Sequence, residues 1–283
     1  MAHTLEKYFV PEPSKYPIFG SVALLLFGTG AAMWLNNVGP GRWVFFLGIA
    51  VLVFMMIGWF GQVVRESESG KYGHRVDRSF RWSMGWFIFS EVMFFAAFFG
   101  ALFYVRVLSV PWLSSGDNLA LLWQGFVGNW PTAGPGKAAP FTPMDAWGIP
   151  AINTIILLTS GGTLTWAHHG LRHGNRGQLK LGLLITILLG VTFLTLQVHE
   201  YSHAYSELNL RLDTGVYGST FYFLTGFHGL HVTVGAIMLT VMLLRAMAGH
   251  FRPDDHFGFE AATWYWHFVD VVWLMLFVVV YWL

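Results

Sequence analysis

Seven stretches of mainly apolar residues succeed one another along the chain, separated by polar connections. They run from Pro17 to Asn36, Trp43 to Val64, Trp82 to Leu108, Trp147 to Trp166, Leu179 to Glu200, Tyr217 to Leu244 and Ala261 to Leu283. A helix rising about 1.5 Å per residue crosses roughly 30 Å of hydrocarbon in about 20 residues, so each stretch predicts one transmembrane helix. Asn36-Asn37-Val38-Gly39-Pro40 and Gly174-Asn175-Arg176-Gly177 read as turns between them. Trp34, Trp43, Trp59, Trp82, Trp147, Trp166 and Trp282 stand near span ends, where an amphipathic ring suits the membrane interface. The one long connection, Ser109 to Ala146, carries Pro111, Pro131, Pro135, Pro140 and Pro143 and predicts an irregular excursion. No internal repeat is visible, which weakens a transporter built on inverted repeats. The expectation is a single all-α membrane domain over residues 1–283.

Composition agrees with lipid as the solvent. Of 283 residues, 55% are apolar and 11% charged, too few to cover a soluble domain of this size. A net charge of +1, with basic residues scattered, argues against a nucleic-acid partner. Twelve of the sixteen Lys and Arg lie in the N-terminal segment and the second-third, fourth-fifth and sixth-seventh connections. Arg42, Arg106, Lys137 and Arg211 fall on the other side, so the positive-inside rule places the N-terminus inside and the C-terminus outside. The absence of cysteine excludes disulfides, iron-sulfur clusters, covalent haem c and thiolate copper sites. Met1 to Tyr16 is polar and lacks the apolar core of a signal peptide, leaving targeting to the first hydrophobic helix.

Ionisable groups inside the spans carry the candidate chemistry, because each costs about 3 kcal/mol or more near mid-bilayer unless it is partnered. Glu91 stands about 9 residues, roughly 14 Å, along the third helix from Trp82. Lipid around it favours the protonated form unless a cation sits beside it. Two readings stay open: a neutral carboxyl locking helices together, and a group that handles protons. His228 and His231 lie three apart on the sixth helix and are expected to face Glu91. A metal or haem there would need further ligands, so hydrogen bonding across the bundle is the preferred reading. Glu260, Trp264, His267 and Asp270 recur at helical spacing on the seventh helix, with His267 and Asp270 expected to satisfy one another as a structural polar pair. Gln197, His199, Glu200, Tyr201 and His203 close the fifth span, and the topology puts them at the outer surface as ordinary capping residues.

Four of these segments together resemble cytochrome c oxidase subunit III in its seven-helix form. They are Ser90-Glu91-Val92-Met93-Phe94-Phe95, Gln197 with Glu200-Tyr201, Gly218-Ser219-Thr220-Phe221 through Thr225-Gly226-Phe227-His228-Gly229-Leu230-His231-Val232, and Phe257-Gly258-Phe259-Glu260 through Trp264-Tyr265-Trp266-His267-Phe268-Val269-Asp270. The resemblance implies a non-redox, non-catalytic subunit of an aa3-type oxidase that passes electrons from cytochrome c to oxygen and pumps protons. Haem a, haem a3 and copper would reside in partner subunits, with no cofactor or metal in this chain. Subunit I would be the direct partner and subunit II a member of the complex. Glu91 matches the family's carbodiimide-reactive carboxylate. The family role is to sustain proton uptake through the D pathway of subunit I and to protect the active site from turnover inactivation. The family also holds phospholipids in a cleft between its first two helices and the other five; the matching residues are Trp59, Glu66, His74, Arg245 and His250. The spacing from Glu66 to Glu91 is one residue shorter than in the animal form, which bears on His74. The long Ser109 to Ala146 connection favours a bacterial cell membrane over a mitochondrial one. The competing readings are a free-standing seven-helix transporter or receptor, and a haem or metal enzyme using His228, His231 and His267.

Overall fold

The computed structural model describes residues 8–136 and 140–283; Met1 to Lys7 of the N-terminal segment, and Lys137 of the outer charge count, lie outside the described residues. Among the described residues, regular structure is helical apart from one isolated bridge between Arg252 and Asp255. The long helices are α1 (Tyr16–Leu35), α2 (Gly41–Glu68), α3 (His74–Phe103), α4 (Ile149–Arg172), α5 (Arg176–Ser206), α6 (Val216–Met247) and α7 (Phe257–Leu276). All but α4 are both long and apolar enough to cross a membrane. The long helices expose Ile18, Leu24, Leu25, Ile57, Trp86, Ile155 and Leu188, apolar side chains that hydrocarbon covers at low cost. The protein is an integral membrane protein.

Helix α4 has the length, at 24 residues, but Asn153, Thr154, Thr159, Ser160, Thr163 and Thr165 dilute its apolar run. Its hydroxyls return to carbonyls three or four residues back: Thr154 to Pro150, Thr159 to Ile155, Ser160 to Leu157, Thr163 to Ser160 and Thr165 to Gly161. That local satisfaction removes most of the cost of their polarity. Pro17 and Pro150 sit in the first turns of α1 and α4, where a missing N–H breaks no ladder bond. The Asn175 side chain caps α5 by accepting from the Gln178 N–H at 3.1 Å.

Helix α3 continues past Phe103 through a π-helical stretch, Tyr104–Ser109, and one α turn, Val110–Leu113, opened by Pro111. A second π stretch occupies Asn118–Leu122. From there to Gly148 the connection is irregular over the described residues, and it lies along the α5–α6 connection. Backbone bonds run from Thr142 to Leu208 and from Val216 and Tyr217 to Ala133 and Thr132.

The chain divides into two compact units, Met1–Trp82 and Ser83–Leu283, with the division inside α3. In the first, α1 and α2 pack as a hairpin whose axes approach at glycine. A methyl group on Gly30 would overlap the Phe45 backbone, and one on Gly48 would sit 2.5 Å from the Phe27 nitrogen. Close backbone contact of this kind is how membrane helices associate where burial of apolar surface gives no advantage.

In the second unit α7 is central: 61% of its apolar window is buried, against 28% for α6 and 33% for α5. Trp266 lies fully buried with its ring over Gly190 of α5 and Gly235 of α6, and its Nε1–H donates to Ser160 Oγ of α4 at 2.9 Å. One side chain thereby joins four helices. Trp273, two turns on, donates to Thr154 Oγ1 at 2.9 Å and packs against Phe193 and His228. Beyond Leu276 the chain widens into a further π stretch, Phe277–Trp282, which carries Tyr281 inward.

Candidate functional site

The α3 register brings Glu91 to α6. Its Oε2 lies 2.8 Å from Nε2 of His231, with 22% of the Glu91 side chain and 13% of the His231 side chain exposed. Phe95 and Phe94 stand 5.0 and 5.9 Å from the imidazole centroid, and Tyr265 stacks beside it at 6.3 Å. Nδ1 of His231 is 2.7 Å from the Phe227 carbonyl, which only accepts, so Nδ1 carries a hydrogen. Nε2 then meets Glu91 in one of two ways: as the second N–H of an imidazolium beside a carboxylate, or as a lone pair receiving the carboxyl O–H. In both states a single proton lies between the side chains and the pair is net neutral, which suits a membrane interior.

His228 takes no part in this contact. It is 1% exposed, and its Nε2 donates to the Val269 carbonyl of α7 at 3.2 Å, between the rings of Phe193 and Trp273. Three helical steps leave the two imidazoles about 60° apart around the axis, enough to send them to different neighbours. His267 lies elsewhere again: its Nδ1 is 3.2 Å from Asp270 Oδ2, and Nε2 is 3.5 Å from Thr165 Oγ1. Gly161 makes room for this pair, since a methyl group there would stand 2.5 Å from Asp270 Oδ2. His228, His231 and His267 therefore do not converge on a common point, as a metal or haem enzyme would require.

Among the described residues, one group of three side chains could hold a metal ion. His168 at the end of α4, His256 before α7 and Glu260 in its first turn bring one ligand atom each within 4.8 Å of the others. His256 Nδ1 donates to the Arg252 carbonyl at 3.0 Å, leaving Nε2 to face Glu260 Oε1 at 3.1 Å and His168 Nε2 at 3.4 Å. The three ligand atoms could share a proton or hold a divalent ion between them. The sequence reading grouped Glu260 with His267 and Asp270; the i, i+4 spacing from His256 was the signal that could have found its contact.

The five residues matched to lipid ligands are divided between the units. Trp59, half exposed, Glu66 and His74 belong to the first; Arg245 and His250 belong to the second. Glu66 accepts from Gln62 Nε2 at 2.7 Å and from the Tyr72 hydroxyl at 2.8 Å. Burial raises the Tyr72 phenol above its ordinary value, and the bond to the Glu66 carboxylate raises it further. The Arg245 guanidinium lies over the Phe251 ring at 4.6 Å, beside Gly258, where a methyl group would come within 3.0 Å of it. The His250 N–H donates to the Arg245 carbonyl at 3.1 Å.

One expectation is overturned at the end of α5. Gln197 and Glu200 are 4% and 1% exposed, and they are not surface caps. The helix continues to Ser206, so both remain inside the bundle, where Glu200 Oε1 accepts from Tyr281 at 2.7 Å.

The family model described as cytochrome c oxidase subunit III matches residues 6–283. The cytochrome c oxidase subunit 3 proteins of Scyliorhinus canicula and Danio rerio are each 42% identical, and that of Papio hamadryas 41%, each alignment spanning 100% of this chain and 99% of the relative. With the match running essentially from end to end, the chain belongs to the cytochrome c oxidase subunit III family.

Proposed function

We propose that this protein is the non-redox subunit III of an aa3-type cytochrome c oxidase in an aerobic respiratory chain. In that role it binds subunit I, assembles with subunit II, sustains proton uptake through the D pathway and protects the oxygen-reducing site from turnover inactivation. The haems and copper belong to the partner subunits. The observation that carries the reading is the Glu91–His231 pair, a part-buried, proton-sharing contact between α3 and α6 in a chain of this family. A neutral pair that can place its proton on either partner buffers the local field beside a proton entrance without supplying a ligand.

Phospholipid head groups are bound by Trp59, Glu66, His74, Arg245 and His250: a guanidinium suits a phosphate, and a tryptophan suits the interface. The basic connections face inward, with the N-terminus inside and the C-terminus outside. The length of the connection after α3 supports a bacterial cell membrane, although relatives occur in vertebrates.

Purification tests the reading. Mild detergent extraction should recover the chain together with haem a-containing subunits, and the separated chain should show no haem spectrum. A lone chain with its own Soret band, or one that never co-elutes with haem-bearing partners, would refute it.

A further inference from the structure

Glu200 is a buried acid that the proposed function leaves without a role. Its neighbours form a one-way chain of donors: Gln197 Nε2 approaches the Tyr281 hydroxyl oxygen at 3.5 Å, and that hydroxyl donates to Glu200 Oε1 at 2.7 Å. Beyond this point the donors run out. Glu200 Oε2 and Gln197 Oε1 are both buried and have no hydrogen-bond partner among the described residues. They stand three residues apart on one face of α5, so the orphans are two acceptor oxygens on neighbouring side chains.

A carboxylate here would be a full charge with only the Tyr281 hydroxyl and the Gln197 amide to bond it and no counter-ion, since no ion pair among the described residues includes Glu200. The titratable groups within electrostatic reach are Tyr201 and His203 on α5, Tyr217 and Tyr222 on α6, and Tyr281. None is a cation directed at it: His203 is 40% exposed and its Nδ1 faces Glu207 Oε2 at 3.2 Å. A hydrogen on Glu200 Oε2, by contrast, supplies the donor that Gln197 Oε1 lacks, directly or through one water, and satisfies both orphans at once.

We propose that Glu200 is a second proton-holding site of this chain, a neutral carboxylic acid clamped between the Tyr281 hydroxyl and the Gln197 amide, separate from the Glu91–His231 pair. Further polar side chains follow the acid along its own helix. Gln197, Glu200, His203 and Glu207 follow at three- and four-residue spacing, so a polar stripe climbs from the buried acid to the half-exposed His203 and the exposed Glu207 that caps α5. This inference uses no part of the lipid or D-pathway reading and stands or falls separately.

Infrared difference spectroscopy of the intact oxidase, exchanged between H2O and D2O, tests it. Glu200→Gln should remove one carboxylic acid C=O band that shifts on deuteration and leave the carboxylate region unchanged. Tyr281→Phe keeps the acid and deletes the donor to Oε1, so it should move that band to higher wavenumber, and it serves if Glu200→Gln fails to assemble. Loss of a carboxylate band in Glu200→Gln, an unaltered C=O region in that variant, or an unmoved band in Tyr281→Phe would each overturn the proposal.

Discussion

His231 Nε2 stands 2.8 Å from Glu91 Oε2, and one hydrogen fills the gap between them. Replacing the acid with its amide separates geometry from proton chemistry, because the substituted amide N–H can still donate to the His231 lone pair. Glu91→Gln should therefore leave assembly intact while lowering pumped protons per electron and shortening the active lifetime of the complex. Pumping and lifetime at unchanged values would reduce the pair to a packing lock.

The Trp266 contacts predict a stability effect confined to the second unit. Gly190→Val forces added carbon into the Trp266 ring and should cost about 1–3 kcal/mol. Ser160→Ala removes the acceptor for the buried indole N–H and should cost about 1–3 kcal/mol. Thermal unfolding of the detergent-solubilised complex measures both, and a midpoint equal to the parent's in either variant would contradict the contact.

In the first unit, Gly48→Leu places a branched side chain where the Phe27 backbone now lies. The hairpin should open, and limited proteolysis at the Asn36–Pro40 turn should accelerate. Cleavage at the parental rate would show that α1 and α2 do not depend on this contact.

Arg245→Ala removes the cation proposed to hold a lipid phosphate and should lower retained phospholipid and shorten active lifetime together. Tyr72→Phe tests the other unit by leaving Glu66 Oε2 without its donor. Because the Tyr72 phenol is raised, its neutral form and the bond to Glu66 persist above pH 10 and are lost only as pH climbs through the folded value. Alkaline spectrophotometric titration should accordingly lose one late-titrating phenol in Tyr72→Phe. Full lipid occupancy in Arg245→Ala would defeat the phosphate assignment.

The apolar runs made the helices legible but understated the lengths of α2 to α6. The expected Trp43–Val64 is α2, Gly41–Glu68, and the expected Leu179–Glu200 is α5, Arg176–Ser206. Hydropathy marks only the part that needs hydrocarbon, whereas the backbone ladder continues into polar turns. That difference misplaced Glu200, taken as the end of its span. Helical spacing correctly paired His267 with Asp270, since an i, i+3 contact is local. It could not tell which of His228 and His231 would meet Glu91, because that depends on the rotation of α6 about its axis, set by packing against α3 and α7. The contacts of Trp266 with Ser160, Gly190 and Gly235 were invisible for the same reason: glycine in a span reads as weak helix former until the ring above it is seen.

That indole also bears on how the molecule is made. Ser160, Gly190 and Gly235 all precede Trp266 in synthesis, so three helices enter the bilayer with a vacant slot that only the last can occupy. Final tightening of the bundle is thus deferred until translation reaches α7, and a nascent chain stalled earlier would present a loosely held intermediate to membrane proteases.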